Sequence, residues 1–429
     1  MRDAARQQVG LATMLSLVVG SIIGTGIFVL PASLAPLGWN APLGWLVSTS
    51  GALCLAFALA TLARGGRGIQ AHIHEAFGPA AAFVAAWAFW CTCWASIAIG
   101  ALATAAALSR IYPQIADPSA ITPVAIGFVI ILAAVNALGI RSAGRMQILT
   151  TLIKIVPLVA VIAIVALRSG RGAIVEPLAP TPISVDAVAT ACAFTIFALS
   201  GFENATTPVG KVRDSRRTIP IAMVTGTLIV AILYLLSSTS VMLLLAPAAV
   251  SASPTPFADA LASEWGETAV VLAAVCIAVS AFGGLNANIL AGGELAYAMA
   301  LRRDLPPLFA RVRADGTPVL AQCLASSLGI GLILLASNRG GSSIFTFIVL
   351  VTTVGNLVMY LLAAIASFAA ARSLRTRAIV SLGGAFALFA FYGAGLEANA
   401  WGLLLVVSGL AVRSATRLVK TRRGIPATV

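Results

Sequence analysis

Three ionisable residues stand inside long apolar stretches of this 429-residue chain: Lys154, Glu203 and Glu294. A charge held in hydrocarbon costs about 3 kcal/mol or more unless it is paired or wetted. Each is therefore either half of a buried ion pair or a group that meets protons or a charged cargo. Glu203 lies in the run Phe197-Ala198-Leu199-Ser200-Gly201-Phe202-Glu203-Asn204-Ala205-Thr206-Thr207-Pro208, which places a glycine, a carboxylate and a proline close together. A second run reads Val18-Val19-Gly20-Ser21-Ile22-Ile23-Gly24-Thr25-Gly26-Ile27-Phe28, with three glycines and two small hydroxyl residues.

Glycine in a helix interior costs roughly 1 kcal/mol per site. It also lets the backbone open and a ligand approach closely. One reading of 18–28 is close helix packing through small residues. The other is a break, with the amides of Thr25, Gly26 and Ile27 opening a half-helix toward an anion such as a carboxylate. A matching break near Gly201 would free carbonyls to accept bonds from an ammonium group. One anion-binding and one cation-binding end near the bilayer midplane suit a zwitterion, and an amino acid is the natural fit. The Lys154 ammonium can occupy the place where a coupled transporter would bind sodium. Glu294 is followed by Arg302 and Arg303, so a structural ion pair is as good a reading for it as a functional one.

These residues need a membrane around them, and the composition supplies it. Hydrophobic residues make up 60% of the chain and charged residues 10%, against roughly 25% charged in soluble domains. Mean hydropathy is +1.01. Soluble globular enzymes and disordered chains are both excluded. A spanning helix needs about 20 mostly apolar residues. Twelve such stretches are expected, at 10–35, 41–62, 80–108, 121–139, 147–167, 187–210, 220–246, 268–298, 319–336, 343–369, 378–393 and 399–412. The two suspected breaks then fall in spans 1 and 6, which suggests two five-helix units of inverted topology. The apolar runs do not alternate, so a transmembrane β-barrel is rejected.

The net charge of +13 would suggest nucleic acid on a soluble chain. Here the cations sort by loop. Arg2 and Arg6; Arg64 and Arg67; Arg141 and Arg145; Lys211, Arg213, Arg216 and Arg217; Arg302, Arg303, Arg311 and Arg313; Arg372, Arg375 and Arg377; and Arg413, Arg417, Lys420, Arg422 and Arg423 fall on one side. The other side has Arg110, Arg168, Arg171 and Arg339. This positive-inside bias puts both termini in the cytoplasm and leaves no single basic surface for nucleic acid. No cleavable signal sequence and no inserted soluble domain are expected. Cys54, Cys91, Cys93, Cys192, Cys276 and Cys323 all fall in spans and read as buried thiols, not disulfides or metal ligands. His72 and His74 read as solvated residues of the loop after span 2. A channel would want a ring of like charges or carbonyls, and an enzyme a nucleophile, metal cluster or carboxylate pair. The pattern offers neither and calls for no cofactor or metal.

The chain resembles the amino acid–polyamine–organocation superfamily, within it the basic amino-acid/polyamine antiporters of the arginine/agmatine type. The likeness is carried by VGSIIGTGIFVLPASLA at 19–35, EAFGP at 75–79, LSGFENA at 199–205, TIPIA at 218–222, SASPTPFADA at 251–260 and LPPLFARVRADGTPV at 305–319. It implies an all-α LeuT-type fold. Residues 1–170 and 180–370 would be the two inverted repeats, and 371–429 two further helices with a basic tail. It implies Ser21, Ile22, Thr25 and Gly26 as the backbone segment that holds substrate carboxylate and ammonium, with Ser200 beside them. Phe197 matches the gating aromatic of helix 6, and Glu203 the glutamate of proton-sensitive gating, with Phe202 next to it. Tyr360 matches a distal-gate tyrosine, Thr352 a pocket hydroxyl, and Lys154 a helix 5 lysine of proton-coupled and sodium-independent members.

Several positions depart from the family pattern. Ile97 stands where an asparagine reads a guanidinium, Asn288 (with Asn286 close by) where a tryptophan stacks on the substrate, and Phe89 where a tyrosine gates. The loop after span 2 reads Arg67-Gly68-Ile69-Gln70-Ala71-His72 in place of a Gly-Gly-x-Tyr-x-Tyr pattern. These changes remove the platform for a long cationic side chain, and an apolar residue at 97 fits a neutral or smaller substrate. The expectation is a sodium-independent inner-membrane permease, an antiporter with proton symport or neutral amino-acid export as variants. Its partners would be the lipid bilayer and an amino acid or polyamine. Relatives occur as monomers and dimers, so a homodimer is one of two states open.

Overall fold

A computed structural model describes residues 10–63, 69–115, 117–137, 143–172, 176–206, 212, 214–314, 316–337 and 341–422. Arg2, Arg6, Arg64, Arg67, Gly68, Arg141, Thr207, Pro208, Lys211, Arg213, Arg339 and Arg423 lie outside them. The described residues form thirteen α-helices: α1 (Leu11–Ile22), α2 (Gly26–Leu34), α3 (Asn40–Ala63), α4 (Ile69–Ser109), α5 (Pro118–Ala137), α6 (Ala143–Gly170), α7 (Val185–Leu199), α8 (Ser215–Leu244), α9 (Pro247–Ala252), α10 (Pro256–Leu301), α11 (Val319–Ser337), α12 (Gly341–Ala370) and α13 (Leu374–Arg422). Nine helical segments among the described residues are long and apolar enough to cross a membrane, among them α7 extended through the turn after it to Asn204, and α1 with α2, bent by 46°, make a tenth span. The apolar part of α11, Val319–Leu335, is shorter. The chain is thus an all-helical, polytopic membrane protein.

Three of the long helices are interrupted at a glycine: α4 at Gly78, α10 at Gly266 and α13 at Gly395. The stretch ahead of Gly78 changes one expectation. His72 and His74 stand on a helix, not in a loop, and His72 is partly buried with Nδ1 3.9 Å from Glu75. The apolar run that marks a span begins only after Pro79, so hydropathy could not see the polar turns before it.

Among the long apolar stretches that of α4 is the most deeply buried, and those of α5 and α6 the least. α4 packs against α10 and α12, while α3 packs against α7 and α8. Trp45 on α3 meets Tyr234 on α8 edge to face at 5.7 Å, and Phe28 on α2 meets Phe257 on α10 at 5.4 Å. Exposed side chains such as Ile130, Ile131, Leu167, Leu272 and Leu403 cover the outside, where a bilayer satisfies them. Cys323 is exposed and Cys54 half-buried, so not every span thiol packs inside; all six are free.

Polar residues fasten helix ends. Asn40 is fully buried at the start of α3; its Nδ2 donates to Leu37 O and Pro182 O at 2.9 Å, and its Oδ1 accepts from Ser184 N–H at 3.0 Å. Ser184 then caps α7, accepting from Ala187 N–H at 3.2 Å. Two of the few cations expected opposite the basic side are paired, Arg110 with Asp259 and Arg168 with Glu264. Both carboxylates lie on α10, so these pairs tie it to α4 and α6.

Candidate functional site

A cavity of about 150 Å³ lies among the broken ends of α1, α2 and α7 and the faces of α4 and α10. Residues 20–27 all line it. Helix ends leave amides and carbonyls without intrahelical partners. At the end of α1, Ile23 N–H still reaches Val19 O at 2.9 Å, and Ile22 O is taken by the Tyr234 hydroxyl at 3.0 Å. α2 restarts at Gly26 with its first residues in the lining, so the positive end of that helix faces the cavity.

The second break meets the first. α7 stops at Leu199, and Ser200 turns extended, its Oγ donating to Phe197 O at 2.6 Å. Gly201 has φ +120°, and a Cβ there would stand 2.6 Å from Ser21 O and 2.9 Å from Ser21 C. Only glycine permits both the dihedral and the contact. Phe197, Ala198, Ser200 and Gly201 line the cavity, so the negative end of α7 faces the same space as the positive end of α2. The Phe197 ring lies against Gly26, where a Cβ would come within 2.6 Å of it.

Glu203 sits on the turn that follows, 5% exposed and in the lining. Its Oε2 accepts from Gly201 N–H and from the Tyr360 hydroxyl of α12, both at 2.9 Å. The Tyr360 ring stacks on Phe202 at 5.2 Å. Lys154 of α6, 1% exposed, also lines the cavity, and among the described residues no carboxylate pairs with it. α4 supplies Phe89, Thr92, Cys93, Ser96 and Ile99 on one helical face, and α10 supplies Gly283, Gly284, Ala287, Asn288 and Ala291. Asn288 Nδ2 donates to Gly284 O at 2.9 Å. Asn356 of α12 completes the wall, with its Oδ1 buried and without a hydrogen-bond partner.

Ten residues singled out from sequence share this lining: Ser21, Ile22, Thr25, Gly26, Phe89, Lys154, Phe197, Ser200, Glu203 and Asn288. Phe202 and Tyr360 join through Glu203. Ile97 and Thr352 stand outside it. Ile97 is fully buried against Gly329 of α11, one residue round the helix from Ser96, which does line the cavity. Thr352 spends its hydroxyl on Ile348 O at 2.7 Å. Asn286 turns away to Asn136 at 2.7 Å. Glu294 is exposed and pairs with neither Arg302 nor Arg303. Sequence reasoning missed Ser96, Asn356 and Tyr234. The small polar series Thr92, Cys93, Ser96 at helical spacing was the available signal for the first; the other two are polar residues in apolar helices.

A family model described as amino acid permease matches residues 9–406. The chain is similar to a cadaverine/lysine antiporter of Escherichia coli, 29% identical over 353 residues, which cover 79% of this chain and 78% of that protein. It is also similar to a putrescine transporter of Haemophilus influenzae, 24% identical over 420 residues, covering 95% of this chain and 96% of that one.

Proposed function

We propose that this chain, which belongs to the amino acid permease family, is a sodium-independent carrier of amino acids or related amines that works by alternating access as an exchanger. One observation carries the reading: the positive end of α2 and the negative end of α7 face one small cavity, and the two breaks touch through Gly201 and Ser21. A zwitterion fits between such ends, carboxylate toward α2 and ammonium toward the α7 carbonyls. Lys154 supports independence from sodium, because a fixed cation already stands in the lining. The names of the relatives, a cadaverine/lysine antiporter and a putrescine transporter, support transport of amino acids or polyamines, and the first supports exchange.

In this reading the chain has twelve spans in a LeuT-type arrangement, with repeats over 1–170 and 180–370 and a terminal pair over 371–429. The α1–α2 bend, the break after α7 and the interruption of α13 at Gly395 support it. Both termini are cytoplasmic, the membrane is the inner membrane, and the protein works as a monomer or a homodimer. Proton symport is the second reading, favoured by the buried Glu203–Tyr360 hydrogen bond beside the cavity.

Proteoliposomes test the proposal. Uptake of labelled amino acid in sodium-free buffer should rise when the vesicles are preloaded with unlabelled amino acid. Uptake indifferent to internal substrate would sink exchange, and a strict sodium requirement would sink the role given to Lys154.

A further inference from the structure

We infer that the cavity takes a neutral α-amino acid with a short side chain and turns away cationic amino acids and diamines. The inference rests on the transport reading above and concerns the part of the cavity beyond the two helix breaks. That part is walled by Phe89, Thr92, Cys93 and Ser96 of α4 and by Ala287 and Asn288 of α10.

Charge decides against a cationic side chain. Among the described lining residues only Lys154 and Glu203 are ionisable acids or bases other than thiols. The Glu203 Oε2 atom already accepts from Gly201 N–H and the Tyr360 hydroxyl. A zwitterion brings its own balancing charges to the ends of α2 and α7. A lysine or diamine would bring one ammonium more, into a cavity that it shares with the Lys154 ammonium. A buried charge without a partner is disfavoured far more than a neutral group of the same shape.

The cavity is also small, about 150 Å³, which bears on side-chain length and not on charge. Asn356 adds a neutral polar contact: it is 5% exposed, lines the cavity and holds an unpartnered carbonyl oxygen. That acceptor suits a hydroxyl or an ammonium hydrogen, and it carries no charge with which to stabilise a second cation.

Equilibrium binding to the full chain in proteoliposomes tests this, with labelled alanine and labelled lysine as probes and serine, threonine, arginine, cadaverine and putrescine as competitors. Alanine, serine and threonine should bind at least about tenfold tighter than lysine, cadaverine and putrescine. Lysine or a diamine binding as tightly as alanine would overturn the substrate class while leaving the transport site standing. Failure of every amino acid and diamine to bind would overturn the site itself. Asn356→Asp and, separately, Asn288→Asp should each narrow the gap by admitting lysine, since either puts a carboxylate into the lining. A gap unchanged in both variants would remove these two residues from side-chain selection.

Discussion

The Tyr360 hydroxyl donates to Glu203 Oε2 at 2.9 Å, joining α12 to the turn that follows the break in α7. The carboxylate thus lies at the cavity wall with one oxygen held from two sides, by Tyr360 and by Gly201 N–H. Glutamine at 203 keeps an oxygen for both donors but loses the charge and the titration. Glu203→Gln should therefore fold normally and flatten the dependence of uptake on pH. An unaltered pH profile removes Glu203 from coupling.

Removing the other half of that bond separates packing from titration. Tyr360→Phe keeps the ring on Phe202, 5.2 Å away, and deletes one donor to a buried acceptor. Loss of such a partner costs about 1–3 kcal/mol. The variant should melt at a lower temperature in detergent than the parent, by a margin that Glu203→Gln does not reproduce.

Two glycines at the breaks should behave in opposite ways. At Gly201 both φ +120° and the 2.6 Å approach to Ser21 O forbid a methyl group. At Gly24 a Cβ would meet its nearest atom, Ile22 O, at 3.8 Å, an ordinary contact. Gly201→Ala should cost about 1–3 kcal/mol in backbone strain and push the breaks apart. Transport is then lost while Gly24→Ala stays close to the parent in melting temperature. Equal tolerance at both positions would mean that the contact between the breaks is not maintained in the membrane.

That contrast also marks where the sequence was informative. Gly24-Thr25-Gly26 and Ser200-Gly201 announce breaks because glycine and small hydroxyls in an apolar run leave helices weak, which is a local property. Length and hydropathy likewise reveal long apolar helices. Contacts across the fold leave no local trace. Tyr234 lies 212 positions from Ile22, whose carbonyl it covers, and nothing near residue 234 says so. Ile97 shows a finer limit: a one-residue shift turns a helix face by roughly 100°, so alignment to a family pattern selected Ile97 where Ser96 faces the cavity. Glu294 misled for a related reason. Neighbouring arginines in sequence suggested an ion pair, but its position on α10 points it outward.

Lys154 should trade stability against activity. Its ammonium is 1% exposed, lines the cavity and has no carboxylate partner among the described residues. Holding such a group in the protein is unfavourable to folding. Lys154→Met removes the charge and keeps most of the volume, so the melting temperature should rise while turnover falls at least about tenfold, as expected where stability and function conflict. A variant both destabilised and fully active would assign the lysine to packing.

The end of α13 offers a test of what holds the opposite part of the chain. Arg413 Nε donates to Asp304 Oδ1 at 2.7 Å, and Arg417 Nη2 reaches the same oxygen at 3.1 Å. Both Asp304 and Arg413 are 6% exposed, and the Arg413 guanidinium lies 5.3 Å from the centre of the Phe83 ring on α4. The aspartate thus ties α13 to the turn after α10, and the arginine ties it to α4. Arg413 Nη2 finds no hydrogen-bond partner, so the pair is incompletely satisfied. Breaking one partner of a buried pair costs about 3–5 kcal/mol, whereas replacing both by apolar groups of similar volume is often neutral. Asp304→Leu should therefore lower the melting temperature sharply, and Asp304→Leu combined with Arg413→Met should recover most of the loss. If the double variant melts no higher than Asp304→Leu, the aspartate acts through Arg417 or the local turn, not through the buried pair.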